Sequence, residues 1–205
     1  MTAAQPKLTL TQRKRLDILA AARAEFLEAG FRDTSMDRVA ERARVSKRTV
    51  YNHFPSKDDL FKAITHQCLD EFRQAISVAY DPARTLEDQL REIAEREVEQ
   101  VTNPDYVAML RVFLAEVGSF QGLFGEVLEE TGSGRDPIED WVRAAADDGR
   151  LQVASTDLAA LQFTSLLKGA LLWPVVAGYG EPASKQQQEA VIAGAVAMFL
   201  GFYAV

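Results

Sequence analysis

Apolar residues in this 205-residue chain recur at intervals of three and four, and no stretch alternates with a period of two, which is the signature of helices. Met36, Val39, Ala40 and Ala43 make one stripe, Phe120, Leu123, Phe124, Val127 and Leu128 a second, and Ile138, Trp141, Val142 and Ala145 a third. Helix starts leave orphan N–H groups that a side-chain oxygen can accept. Thr34 with Asp37, Ser56 with Asp59, Thr85 with Asp88, Asp136 with Glu139 and Ser184 with Gln187 stand at that spacing. Pro104 and Pro137 suit first helical positions, and Gly30, Gly149 and Gly178 suit helix ends. The predicted helices are about 11–29, 35–42, 46–53, 56–79, 84–102, 104–117, 119–131, 136–148, 155–177 and 184–204, with a kink at Pro174. The first three are short and closely joined; the rest are longer. An all-α fold follows, with a small head at residues 1–55 and a helical body at residues 56–205. The helix starting at Ser56 leaves no flexible linker, so the two are expected to be mechanically coupled.

Composition adds bounds. With 47% hydrophobic and 26% charged residues the chain can bury a core, which excludes disordered and fibrous classes. The single cysteine, Cys68, cannot close an internal disulfide, and the N-terminal MTAAQPKLTLTQRKR lacks the apolar core of a secretory signal. Both point to a reducing, cytoplasmic setting. The uncharged run at residues 190–205 is short for a membrane span and reads as a packed helix, a tail anchor being the alternative.

Charge is unevenly placed. The net charge of -7 argues against a polyanionic partner, yet residues 1–56 hold 11 Lys/Arg against 6 Asp/Glu, while the remainder holds 12 against 24. A basic head on an acidic body fits a polyanion bound at the head alone; a solvated basic face is the bland alternative.

The stretch TSMDRVAERARVSKRTVYNHFPSK, from Thr34 to Lys57, carries the chemistry. It holds a two-turn helix with an apolar face, a break at Arg44-Val45, and a second helix capped by Ser46 and stopped before Pro55. Behind the longer helix with Ile18, Leu19, Ala22 and Phe26, this makes a helix-turn-helix, whose second helix enters the DNA major groove. Lys47 and Arg48 can donate to guanine O6 and N7, and Thr49 can touch a thymine methyl or a phosphate. Tyr51, His53 and Lys57 supply donors at backbone distance, and Thr34 and Ser35 lie at a helix N-terminus that can hold a phosphate. Val45, Val50 and Phe54 are left to pack inward.

These residues resemble the head of the TetR family of bacterial transcriptional regulators, T-x-x-x-x-(I/V)-A-x-x-A-G-V-S-x-x-T-(L/V)-Y-x-H-F-x-(S/N)-K-x-x-L. The matches are Thr34, Val39, Ala40, Ala43, Val45, Ser46, Thr49, Val50, Tyr51, His53, Phe54, Ser56, Lys57 and Leu60. The departure is Arg44, where the family has Gly; a turn residue there needs positive φ, which Arg adopts at a cost, and its side chain adds a donor for phosphate. Segments NPDYVAMLRVFLAEV and AADDGRLQVASTDLAALQF look like the AefR-like type of C-terminal domain. The resemblance implies a homodimer on a palindromic double-stranded operator, built through a bundle of the last two long helices of each subunit. Ala193, Ala197 and Gly201 offer a small-residue ridge for close helix approach, unless that face is buried within one subunit.

The resemblance also implies a ligand cavity in the body. Its large apolar residues Met109, Phe113, Phe120, Phe124, Trp141, Phe163, Leu167 and Trp173 are the candidates for a pocket that takes a largely apolar small-molecule effector, although any one such side chain is more often ordinary core. Lys168 and Arg111 sit among apolar neighbours, where they snorkel to the surface or pair with an anionic effector. Two separated histidines and no cysteine cluster predict no metal site, and no cofactor motif is present. Without a G-x-S-x-G or a nucleophile–base arrangement, no catalytic residues and no enzyme are expected. The expected function is a ligand-responsive transcriptional regulator, most simply a repressor released by its effector; the alternative is a DNA-binding dimer controlled by a protein partner, or one with an architectural role.

Overall fold

The computed structural model describes residues 9–116 and 136–205. Among them are ten helices: α1 (Leu10–Asp33), α2 (Met36–Arg42), α3 (Lys47–His53), α4 (Lys57–Ile76), α5 (Leu86–Val101), α6 (Pro104–Glu116), α7 (Pro137–Asp147), α8 (Thr156–Leu171), α9 (Trp173–Val176) and α10 (Lys185–Tyr203). No strand occurs among the described residues; an isolated antiparallel bridge joins Leu151 to Ala204. The expected helix at 119–131, with Phe120 and Phe124, lies outside the described residues.

Local chemistry sets the boundaries. Thr9 and Gln12 form a capping box at the start of α1, and Ser184 and Gln187 form another at the start of α10. Ser46, Thr85, Asp136 and Ser155 each accept a backbone N–H at the start of α3, α5, α7 and α8. The expected cap of α2 moves by one residue. Ser35 accepts from the Arg38 N–H, whereas the Thr34 hydroxyl is buried and donates to the Gly30 carbonyl at 2.8 Å. α1 runs past its expected end because Gly30, at φ 76, turns the chain without a Cβ clash and the helix resumes through Phe31. The expected helix 155–177 divides into α8 and α9, since Pro174 has no N–H to continue the ladder.

The described residues fall into two compact units, 9–68 with 112–116, and 69–111 with 136–205. In the first, Ile18, Ala22 and Phe26 of α1 are buried with Val39 of α2 and Val50 of α3. Phe26, Phe31 and Phe61 form an aromatic cluster with centroids 4.8–5.7 Å apart, extended by Phe113 at 5.2 Å from Phe61. Those contacts place the first three turns of α4, with buried Leu60, Phe61 and Ile64, in this unit, beyond the sequence-based boundary at residue 55.

In the second unit, Leu90, Ile93, Ala94 and Val98 of α5 share a core with Trp141 and Val142 of α7, Phe163 and Leu167 of α8, and Ile192, Val196 and Phe199 of α10. The Trp141 indole N–H donates to Gln89 Oε1 at 3.2 Å, so the largest core side chain is also hydrogen-bonded.

Candidate nucleic-acid interface

α2 and α3 are joined by a turn whose Arg44 has φ 54, the conformation that favours glycine. Ser46 then caps α3, accepting the Thr49 N–H at 3.1 Å, with its hydroxyl 2.7 Å from the Thr49 hydroxyl. Val50 and Phe54 are buried on the inner side of α3. Helical spacing therefore turns Lys47, Arg48 and Tyr51 outward, and all three are exposed, as is Arg44. Thr49 and His53 are half-buried at the edges of that face.

The exposed cations differ in their partners. Lys47 Nζ lies 2.7 Å from Asp37 Oδ1, and this contact pushes its pKa up. Arg48 has no ion-pair partner among the described residues. On α2, Arg38 Nε and Arg42 Nε approach the buried Glu25 carboxylate at 2.8 and 2.7 Å, and Arg42 also reaches Glu28, whose pKa this hydrogen bond lowers. These pairs tie α2 to α1. Arg15 stacks on the Phe54 ring at 4.5 Å and holds the end of α3.

Two residues expected near phosphate have structural partners instead. Lys57 donates to the carbonyls of Phe31 at 2.7 Å, Arg32 at 3.0 Å and Thr34 at 3.0 Å, which occupies all three ammonium protons, and it lies over the Phe31 ring. Thr34 has its hydroxyl turned inward to the Gly30 and Glu25 carbonyls. Ser35 stays exposed at the start of α2.

Most of the described residues expected to form an effector pocket are buried. Phe113 packs on Phe61 in the first unit; Trp141, Phe163 and Leu167 are core of the second; Met109 is buried; Trp173 is exposed; Phe120 and Phe124 lie outside the described residues. Periodicity marks a buried face without telling a packed neighbour from an empty volume. A cavity of about 220 Å³ in the second unit is lined by Val101, Thr102, Pro104, Val107, Ala108, Arg111, Leu171, Val175 and Pro182. Arg111 Nε donates to the Val176 carbonyl at 3.2 Å and its Nη2 to the Val175 carbonyl, which fixes α9 as one wall. Behind that wall the Gly180 N–H donates to the Pro174 carbonyl at 2.9 Å. A Cβ at Gly180 would lie 2.6 Å from the Pro174 Cβ, so only glycine allows this approach.

Ala193, Ala197 and Gly201 are exposed on α10, beside exposed Met198 and Phe202. Leu161 and Leu166 of α8 are exposed too, and they border with Met198 and Phe202 an open apolar groove of about 520 Å³.

A capped recognition helix with outward cations, set on two supporting helices, defines a helix-turn-helix DNA-binding protein. Residues 18–64 match the model of the bacterial regulatory proteins of the tetR family, and residues 88–205 match that of the AefR-like transcriptional repressor, C-terminal domain. The chain belongs to the TetR family of transcriptional regulators. Its fold is similar to the crystal structure of a TetR family transcriptional regulator from Pseudomonas syringae pv. tomato str. DC3000, at 38% identity and a TM-score of 0.75, covering 96% of this chain and 100% of that one. It is also similar to the Flavonoid-responsive Regulator FrrA, at 28% identity and a TM-score of 0.77, over 94% of this chain and 97% of that one. The uncharacterized HTH-type transcriptional regulator YhgD of Bacillus subtilis (strain 168) is 41% identical over 71 residues. That match spans 35% of this chain and little more than a third, 37%, of YhgD. No helix among the described residues is long and apolar enough to cross a membrane.

Proposed function

We propose that the protein is a ligand-responsive repressor which binds a roughly palindromic operator as a homodimer and leaves it when a small, largely apolar effector fills the body. The observation that carries the DNA side is the outward face of α3, where Lys47, Arg48 and Tyr51 stand opposite buried Val50 and Phe54. Arg44, Ser35, Thr49 and His53 border it as candidate backbone contacts. The apolar stripe of Leu161, Leu166, Met198 and Phe202 along the small-residue ridge supports a second copy as its cover, because a face of this kind is poorly soluble when open. The cavity lined by Val101, Val107 and Leu171, and the responsiveness named for FrrA, support a small apolar effector.

Two heads on one operator are set about 34–36 Å apart, one turn of DNA. α4 belongs by its first turns to the head and by its last to the body, so a ligand that shifts it would change that spacing. A hundredfold loss of DNA affinity takes a coupling of about 2.7 kcal/mol. The test is binding of the purified protein to a fluorescent duplex from upstream of its own gene, across salt and with a panel of lipophilic compounds. Salt-steep, sequence-selective binding that a compound releases is expected. Selective binding that no compound alters would sink the effector part, and Ala197→Glu is expected to give monomers by sedimentation.

A further inference from the structure

We propose that the groove between the start of α1 and the turn before α3 is a second DNA contact, where Arg13, Lys14 and Arg44 grip the sugar-phosphate backbone beside the base pairs that α3 reads. The inference rests on the DNA side of the reading above and adds α1, which that reading leaves unused.

The groove is open, of about 660 Å³, and lies wholly within the first unit. One wall is a single face of α1, carrying Arg13, Lys14 and Asp17 at spacings of three and four. The other is the turn at Arg42, Ala43, Arg44 and Val45.

Four cations line the groove against one acid, Asp17. Arg42 is satisfied by Glu25 and Glu28, but Arg13, Lys14 and Arg44 have no ion-pair partner among the described residues. α1 has no acid in its first turn, so Arg13 and Lys14 follow directly on the positive end of the helix dipole, where a cation is unfavourable for the helix itself. This arrangement concentrates positive potential at the surface, and an anion laid in the groove would relieve it.

Position names the anion. Arg44 stands two residues before Ser46, the cap of α3, so the groove is continuous with the face of Lys47, Arg48 and Tyr51. At the far end of α3 Arg15 stacks on the Phe54 ring, which fixes the first turns of α1 against α3. A duplex seated on α3 would carry its backbone past α1, bringing successive phosphates to the row of cations. Such donors on phosphate position a protein along the duplex without reading its sequence.

The experiment titrates the full chain onto two fluorescent duplexes, one from upstream of its gene and one of unrelated sequence, over a range of salt. Arg13→Gln with Lys14→Gln is expected to weaken both complexes about tenfold or more at low salt, and to make the salt slope of log K shallower by about one for each cation removed. Asp17→Asn, which removes the acid from the groove, is expected to tighten both several-fold. Lys185→Gln, which removes a cation of the second unit, is the control and is expected to change neither. If the double variant fails to fold by circular dichroism, Asp17→Asn decides alone. Unchanged affinity and slope in both groove variants, with the unmodified protein still bound, would overturn the contact and leave the α3 reading standing. So would an equal loss in Lys185→Gln, which would make the effect one of net charge. A loss confined to the upstream duplex would mean that α1 reads bases, and would overturn the backbone role. Absence of salt-dependent binding by the unmodified protein would overturn both readings.

Discussion

The ammonium of Lys47 bridges to Asp37 across the turn, at 2.7 Å from Oδ1 and 2.9 Å from Oδ2, so the first cation of α3 is already paired within the head. While that pair persists it contributes no net charge toward phosphate, and Arg48 is the freer donor. Asp37→Asn releases Lys47 without changing shape. The expected result is tighter binding to non-operator DNA, with the salt slope of log K steeper by about one. Unchanged affinity and slope would mean that Lys47 does not approach DNA. Arg48→Ala is expected to cost about 1–3 kcal/mol at the operator and relax specificity at one base pair.

Arg44 holds a conformation that an L side chain adopts at a cost. Arg44→Gly is therefore expected to stabilise the head by up to about 1 kcal/mol, less the extra freedom glycine gives the unfolded chain. Operator binding is expected to weaken at the same time, through loss of a phosphate contact. Thermal unfolding and DNA titration of one preparation check both. A variant that binds DNA normally would leave Arg44 as a turn residue only.

Lys57→Met tests the three-carbonyl clamp. Removing its ammonium strips partners from the Phe31, Arg32 and Thr34 carbonyls, for an expected loss of about 2–3 kcal/mol in unfolding free energy. Were Lys57 a phosphate contact instead, stability would hold and only the salt dependence of DNA binding would fall.

Glu97 is expected to make stability pH-dependent. Burial raises its folded-state pKa above the ordinary carboxylate value of 4.5, so between these two values the folded chain binds the proton more tightly than the unfolded chain. Its contribution thus favours folding most at acid pH and is lost as the pH rises through the folded pKa. Glu97→Gln is expected to flatten the unfolding free energy across that window, measured by urea titration at a series of pH values. An identical pH profile in the variant would mean that Glu97 does not titrate there.

Much of this architecture was legible because it depends on local rules. Caps such as Ser46, Thr85 and Ser184 and breakers such as Pro174 act within one or two turns, so the chain announces its helices and its recognition motif directly. Burial of Val50 and Phe54 against exposure of Lys47, Arg48 and Tyr51 follows from spacing alone. What spacing hides is who meets whom at long range. Lys57 looks like any surface lysine until Gly30 turns the last part of α1 and aims three carbonyls at it. The large apolar residues Trp141 and Phe163 belong to the core, while one cavity among the described residues falls beside smaller ones such as Val101 and Ala108. One signal was present in the chain: Glu97 stands within the apolar stripe of α5, where an acid needs a partner.

The close approach of Gly180 to Pro174 has a thermodynamic consequence. With α9 locked from behind by that contact and from the front by Arg111, the cavity wall exists before any ligand arrives. Little ordering entropy is then lost on that side when a molecule enters, and its heat and heat-capacity change report apolar contact instead of loop closure. Discrimination at such a wall is expected to follow shape, with longer ligands paying for the Arg111 and Gly180 contacts they would displace.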